Sequence, residues 1–231
     1  MNNKFFCLGT SIIGATVIGL APISAIAKSP QITQNLQASE QLTLTNKITS
    51  NKSKLILAQN EADYDRAIQL NPNNADAYFN RGLLRYEQKN YKSAEADYTQ
   101  AIRINPQDAL AYTNRGLIRY EQKNYKSAEA DYTQAIKINP NDADVYFNRG
   151  LLRRDLKNYP AAEADFTQTI RINPQDAQAY VNRGIARAYT NNKPGAIADW
   201  QAAAQLYRQQ NNTEAYQKIQ EGLSVLQTLP E

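Results

Sequence analysis

The chain of 231 residues carries 26 Lys and Arg against 22 Asp and Glu, which gives a formal net charge of +4, and it has no histidine and one cysteine, Cys7. Without histidine, no Ser-His or Cys-His nucleophile and no zinc site of Cys and His ligands can form. Acids lie close to bases throughout, and no basic face of the kind that binds nucleic acid is left. The composition predicts no catalytic residues, no cofactor and no metal, although clustered carboxylates in a pocket would still permit carboxylate or oxygen-ligand metal chemistry.

Residues 1–27 have the layout of a secretory signal peptide. Lys4 supplies a positive start, an apolar run extends to Leu20, and Ala25-Ile26-Ala27 fits the cleavage pattern. The alternative is an uncleaved membrane anchor through residues 5–27, because the apolar run approaches a spanning length. We expect an exported protein of the periplasm or cell envelope, membrane-anchored if residues 1–27 are retained.

Residues 28–54 are rich in Ser, Thr, Gln, Asn and Lys, with only scattered aliphatic residues. This composition predicts a disordered linker that acts as a spacer.

A period of 34 residues governs the rest of the chain. The triplet Asn-Arg-Gly recurs at 80–82, 114–116, 148–150 and 182–184. A fixed period of this length indicates stacked repeats that share one continuous core. Proline and tyrosine follow the same period, at Pro72, Pro106, Pro140 and Pro174 and at Tyr78, Tyr112, Tyr146 and Tyr180.

Each unit reads as two helices, with small and aromatic residues on stripes that face each other. A polar turn at residues 88–90 separates the helices of the first unit, and Asn105-Pro106 ends the second helix. Pro160 and Pro194 lie where the second helices of the third and fourth units begin, a place that tolerates proline.

These residues resemble the tetratricopeptide repeat family, of the type with Tyr-x-Asn-Arg-Gly in the first helix. With Ala75 as position 1, the matching residues include Tyr78, Gly82, Ala94, Tyr98 and Pro106. The resemblance implies an all-α fold: an α-solenoid in which antiparallel helix pairs form a right-handed superhelix. The predicted units are 75–108, 109–142, 143–176 and 177–210, the last of which lacks the first aromatic residue of its second helix and the final proline.

Both ends of the array need caps. Residues 55–74 match only the second half of a unit, which predicts a lone first helix. Residues 211–231 place Ala215, Ile219, Leu223 and Leu226 on one face, which predicts an amphipathic capping helix.

In the family, the first helix of each unit lines a concave groove that accepts peptides, with positions 2, 5, 6, 9, 12 and 13 pointing inward. Here position 6 is always asparagine, whose amide can donate to and accept from the backbone of an extended peptide. Alternatively, these asparagines bond to a neighbouring helix and the apolar residues belong partly to the core. The predicted peptide-binding residues are Phe79, Asn80, Leu83, Tyr86, Thr113, Asn114, Leu117, Tyr120, Phe147, Asn148, Leu151, Val181, Asn182 and Ile185.

Some family members hold a C-terminal carboxylate in a clamp with Lys or Arg at positions 2, 5 or 6. Position 2 is Asp76, Leu110, Asp144 and Gln178 here, and positions 5 and 6 carry no cation. The clamp is therefore predicted to be absent.

Two arginines per unit, at positions 7 and 11, are expected to face the second helix. Arg81 is followed by Asp97 sixteen residues later, and the other three units repeat this spacing. Glu95 and its counterparts lie two residues before the aspartate in the first three units. Because a guanidinium suits paired carboxylates, each unit is expected to pair its two cations with its own acids, as a structural feature.

The sequence therefore predicts a non-catalytic protein–protein interaction scaffold that binds an extended peptide segment of a partner. A narrower alternative, an assembly factor for an envelope or photosynthetic-membrane complex, rests on resemblance alone. The predicted partner is a protein or peptide and not nucleic acid, with membrane association only through residues 5–27.

Overall fold

The computed structural model describes residues 61–228, and all regular elements in this range are helices. The signal peptide and linker predicted for residues 1–54 lie outside the described residues. Contacts divide the chain into two units, Met1–Asp63 and Tyr64–Glu231, and the helix pairs described below belong to the second. In the described range, no helix is both long enough and apolar enough to cross a membrane.

Helix α1 comprises residues 61–70. Four helix pairs follow, one in each predicted unit, and each pair packs most extensively within itself and then against the next pair. We call α2, α4, α6 and α8 the first helices and α3, α5, α7 and α9 the second helices. The bounds are α2 Ala75–Glu87, α3 Tyr91–Ile104, α4 Ala109–Glu121, α5 Tyr125–Ile138, α6 Ala143–Asp155, α7 Tyr159–Ile172, α8 Ala177–Tyr189, α9 Lys193–Gln209 and α10 Thr213–Thr228.

Side-chain caps fix where the first helices begin. Asn74, Asp108, Asp142 and Asp176 each accept a hydrogen bond from a backbone N–H of the first turn, at 3.0 Å. Such a cap satisfies one of the donors that a helix start leaves without a partner. Because these four residues follow the 34-residue period, every first helix begins at the same place in its unit.

The polar turn between the helices of a pair contains a residue in the left-handed region. Lys89, Lys123 and Lys157 have φ values of 61°, 62° and 60°, and Asn191 takes this place in the fourth unit with φ of 59°. A lysine there is strained relative to glycine or asparagine. The sequence predicts the turn from its polarity but not this conformation.

The glycine of Asn-Arg-Gly makes room for the large residue at position 24 on the second helix. A Cβ added at Gly116 would lie 2.9 Å from Cε1 of Tyr132, and one at Gly150 would lie 2.7 Å from Cε1 of Phe166. Both rings are fully buried. The glycine therefore lets the ring approach the backbone of the first helix closely.

Helix α10 packs against the fourth pair. Leu223 and Leu226 are buried against α9, while Glu214, Lys218 and Glu221 are exposed. Trp200 takes the place of the ring at position 24, and its indole Nε1 donates to the carbonyl oxygen of Val181 at 3.1 Å.

Candidate functional site

The arginines at positions 7 and 11 turn towards the second helix, as the sequence predicts. In the second unit, Nε and Nη2 of Arg115 donate to the two carboxylate oxygens of Asp131 at 3.0 and 2.7 Å. Nη1 of Arg119 donates to the same carboxylate at 2.9 Å. Asp131 is only 3% exposed, so one buried carboxylate is held by two guanidinium groups. The other units repeat the bidentate pair as Arg81–Asp97, Arg149–Asp165 and Arg183–Asp199.

The glutamates do not pair within their own units, which corrects the prediction. Nε of Arg119 donates to Glu95 of the first unit at 2.7 Å, and Arg153 and Arg187 reach Glu129 and Glu163 in the same way. The second helix of one unit packs against the first helix of the next, and this contact brings position 21 to the following position 11. The glutamates therefore tie neighbouring units together.

Arg81 makes an additional ion pair that the sequence analysis missed. Its Nη1 donates to Asp65 of α1, whereas Arg115 donates from the same atom to Thr99. Asp65 lies 34 residues before Thr99, so aligning α1 with the repeats could have predicted this contact. The hydrogen bonds to Asp97 raise the pKa of Arg81 above its ordinary value. The four position-7 guanidinium groups also lie over tyrosine rings at position 4, 5.4–5.9 Å from the ring centroids.

The opposite side of the first helices forms a separate surface. At 100° per residue, position 9 lies about 180° from the direction midway between positions 7 and 11. Positions 2, 6, 12 and 13 lie within roughly 60° of position 9. We call this side, over α2, α4, α6 and α8, the inner face. Contacts between neighbouring first helices connect it from unit to unit, as described below for Tyr120 and Arg154.

The asparagines at position 6 differ in how much of their hydrogen-bonding capacity is used. Asn80 and Asn148 are half-buried, and their side chains make no hydrogen bond within residues 61–228. Nδ2 of Asn114 donates to the carbonyl oxygen of Leu110 at 2.9 Å, and its Oδ1 has no donor in the same range. Asn182 is 7% exposed and bonds through both amide atoms, to Gln178 and to Arg154. The alternative role, bonding to a neighbouring helix, therefore applies to the fourth unit.

The residues at position 5 contribute to the core. The ring of Phe79 lies 5.7 Å from that of Tyr98, and the ring of Phe147 lies 5.7 Å from that of Phe166. Thr113 is 3% exposed and donates to the carbonyl oxygen of Ala109 at 2.9 Å, so it presents almost no surface to a ligand. Val181 is half-buried.

The apolar residues at positions 9 and 12 form a half-buried strip along the inner face. Tyr86 and Tyr120 each pack against the first tyrosine of their own second helix, with ring centroids 5.5 and 5.8 Å apart. Burial, and then a hydrogen bond to Asp155, raise the pKa of Tyr120. The strip consists of Leu83, Leu117, Leu151 and Ile185 at position 9 and the two tyrosines at position 12.

A polar strap crosses the inner face over units two to four, and the sequence analysis did not foresee it. The hydroxyl of Tyr120 donates to Asp155, Arg154 binds the other carboxylate oxygen of Asp155 from Nη2 at 2.8 Å, and Nη1 of Arg154 donates to Asn182. Tyr120 belongs to α4, Arg154 and Asp155 to α6, and Asn182 to α8. The strap leaves the first two units as the part of the inner face with the most unused polar groups.

Nothing in residues 61–228 brings three or more carboxylate, cysteine or histidine groups together in a way that could hold a metal ion. The inner face instead offers amides, carboxylates and half-buried apolar side chains over several helices.

Comparisons with known proteins agree with this architecture. A family model for the tetratricopeptide repeat matches residues 75–108, 109–142 and 143–176, which are the first three predicted units. The fourth unit, outside that match, has the same helix pair and the same Arg183–Asp199 geometry. A search of curated proteins found no match.

Several solved structures share the fold. MamA (41-end) from Desulfovibrio magneticus RS-1 is 15% identical with a TM-score of 0.61, over 65% of this chain and 85% of that one. YrrB, described as a TPR protein with an unusual peptide-binding site, is 24% identical with a TM-score of 0.59, over 67% and 80%. Pseudomonas aeruginosa pilF is 20% identical with a TM-score of 0.60, over 82% and 90%. Residues 75–176 are therefore three consecutive tetratricopeptide repeats, and the solved neighbours share the helix-pair fold of this chain.

Proposed function

We propose that this protein is a non-catalytic interaction scaffold whose inner face binds an extended segment of a partner protein. The observation that carries the proposal is the unused capacity of the asparagines. Asn80 and Asn148 are accessible and make no hydrogen bond within the described residues. Unused amides beside an apolar strip can pair with a peptide backbone while the leucines contact its side chains.

The fold supports the same proposal. The 34-residue units use their glycines, alanines, rings and arginines for packing, and the described residues contain no metal-binding cluster. YrrB, a solved neighbour, is described as having a peptide-binding site. The predicted role in assembling an envelope or photosynthetic-membrane complex stays a prediction, because no contact in the structure favours a particular complex.

Site-specific photocrosslinking tests where a partner binds. A photoreactive residue replaces Leu117 on the inner face or, as the control, the exposed Lys92 on α3, in cells that produce the protein. We expect adducts with a partner protein from position 117 and none from position 92. Equal adducts from both positions, or none from position 117, would contradict the proposal.

The asparagines provide the second part of the test. Asn80→Ala/Asn148→Ala removes two side chains without hydrogen bonds in the described range, so the thermal unfolding temperature should stay within about 2 °C while the adduct yield falls several-fold. Asn182→Ala is the matched comparison, since it removes two hydrogen bonds and should lower the unfolding temperature. An undiminished adduct yield from the double variant would contradict a role of the asparagines in binding the partner.

We also propose that the protein is exported, on the basis of residues 1–27, which lie outside the described residues. N-terminal sequencing of protein from fractionated cells separates the alternatives. A mature chain that begins at Lys28 supports cleavage, and recovery of Met1 in the membrane fraction supports an anchor.

A further inference from the structure

The inner face carries negative charge that no described residue neutralises. Asp76 and Asp144 occupy position 2, and Glu87 and Glu121 occupy position 13, all of them exposed. None of these four carboxylates forms an ion pair within residues 61–228. On the opposite side of the first helices, by contrast, every carboxylate that the second helices present at position 23 is paired with arginine. The two sides of the same helices therefore differ in charge balance.

The negative charge of the inner face is a local arrangement and does not reflect an acidic chain. Residues 1–60 contain five lysines and one glutamate, which accounts for the whole net charge of +4, so the remaining residues are neutral overall. The inner positions of the four first helices hold five carboxylates and a single cation, Arg154, which is engaged with Asp155. The turn lysines, such as Lys123, lie beyond the ends of the first helices and form no ion pair with a described acid.

The carboxylates form two rows with the apolar strip between them. Positions 2 and 13 are eleven residues apart, which is about 16 Å along a helix. The strip of leucines and the asparagines lie between these rows. The position-13 row contains Glu87 and Glu121, at the C-terminal ends of α2 and α4.

The surroundings of Asp144 support an excess of negative charge at the position-2 row. Neighbouring protein atoms that displace part of the water around its carboxylate, and then the carboxylates of Asp142 and Asp176, raise the pKa of Asp144. Asp142 and Asp176 cap α6 and α8, so they are fixed at this edge by their backbone hydrogen bonds. The acids are too dispersed to form a metal-binding cluster among the described residues, which favours a ligand with several separated positive charges.

We propose that the inner face binds a cationic segment of a partner protein, in which apolar residues alternate with lysine or arginine. The apolar residues contact the strip, and the long basic side chains reach the two carboxylate rows. This inference rests on the proposed function and specifies the chemistry of the partner. Electrostatic complementarity of this kind contributes mainly to association rate and specificity.

Two synthetic twelve-residue peptides test the charge preference of the full chain. Both have leucine at alternate positions, with lysine at the others in one peptide and glutamate in the other. By fluorescence anisotropy at low salt, we expect the lysine peptide to bind at least tenfold more tightly. The difference should shrink at high salt, because added ions screen exposed charges. Equal affinity of the two peptides, or tighter binding of the glutamate peptide, would overturn the proposal.

A pair of charge-matched variants locates the effect. Glu87→Gln/Glu121→Gln should weaken binding of the lysine peptide roughly fivefold, as expected for two exposed charge contacts. Glu214→Gln/Glu221→Gln removes the same charge from α10, beyond the four units, and should change the affinity by less than about twofold. Equal losses from both variants would mean that overall charge attracts the peptide, and the proposal would fail.

Two further results separate this inference from the proposed function. Crosslinking from position 117 without any binding of the lysine peptide would overturn the charge preference and leave the scaffold function standing. Salt-sensitive self-association of the full chain, abolished by Glu87→Gln/Glu121→Gln, would show that the face binds a second copy of this chain and not a partner protein.

Discussion

The two sides of each first helix differ in how constant their residues are from unit to unit and in whether their charges are paired. The side that faces the second helix repeats the same arginines and glycine in all four units, and its two guanidinium groups hold the buried aspartate of the second helix. The inner face keeps only asparagine constant, and four of its five acids have no cation partner among the described residues. This difference teaches that one helix can keep the repeat together on one side and vary for recognition on the other.

The largest expected effect comes from removing the buried carboxylate. Asp131→Ala leaves Arg115 and Arg119 without their shared acceptor in a region from which water is largely excluded. We expect the free energy of unfolding to fall by about 3 kcal/mol, measured by urea denaturation. Glu121→Gln, an acid on the inner face of the same unit, should change it by less than about 0.5 kcal/mol. Similar losses from both variants would erase the distinction between the two sides.

A smaller effect is expected from closing the space under the position-24 ring. In Gly116→Ala the added Cβ would lie 2.9 Å from Cε1 of Tyr132, so the ring must shift. Overpacking of this kind costs about 1–3 kcal/mol in the free energy of unfolding. The cost should fall in a Tyr132→Leu background, because the clashing ring is gone. An unchanged cost would indicate that helix propensity and not packing sets the preference for glycine.

Much of this architecture was predictable from the 34-residue period of the sequence. The helix pairs, the bidentate contact of Arg81 with Asp97 and the apolar face of α10 all follow from spacings of 16 or 34 residues and from apolar periodicity. The predicted pairing of Glu95 with an arginine of its own unit was wrong. A spacing within one unit does not show which unit's arginine lies nearer once the units stack. Lys89 gives no sign of its left-handed conformation, as lysine is not a residue that such turns favour.

The inner face was predicted less completely for a physical reason. Its residues were assigned by angle around the helix, and angle does not state how deeply a side chain is buried. Thr113 and Asn182 share positions with accessible residues but are nearly inaccessible. The contact of Arg154 with Asn182 joins neighbouring units. It depends on an arginine at position 12, where the first two units have tyrosine, so the repeat pattern does not predict it.

The ties between units should be weaker than the contacts within them. Glu129 reaches Arg153 of the next unit at 2.8 Å, and both side chains are partly exposed to water. A double-mutant cycle with Glu129→Gln and Arg153→Gln should give a coupling energy of about 0.5–1 kcal/mol in the free energy of unfolding. A second cycle pairing Glu129→Gln with Arg119→Gln, the arginine of its own unit, should give none. Coupling of Glu129 with Arg119 but not with Arg153 would instead support pairing within each unit.

The smallest expected effect tests whether the repeated side is fully optimised. The hydroxyl of Tyr132 is buried and has no hydrogen-bond partner in the described residues, whereas Phe166 fills the same position in the third unit without a hydroxyl. An unsatisfied buried hydroxyl destabilises the folded state, so Tyr132→Phe should raise the free energy of unfolding by up to about 1 kcal/mol. Phe166→Tyr is the matched reverse change and should lower it. If Tyr132→Phe is instead destabilising, the hydroxyl makes a stabilising interaction in the folded state, and the repeated side would contain no unsatisfied hydroxyl at Tyr132.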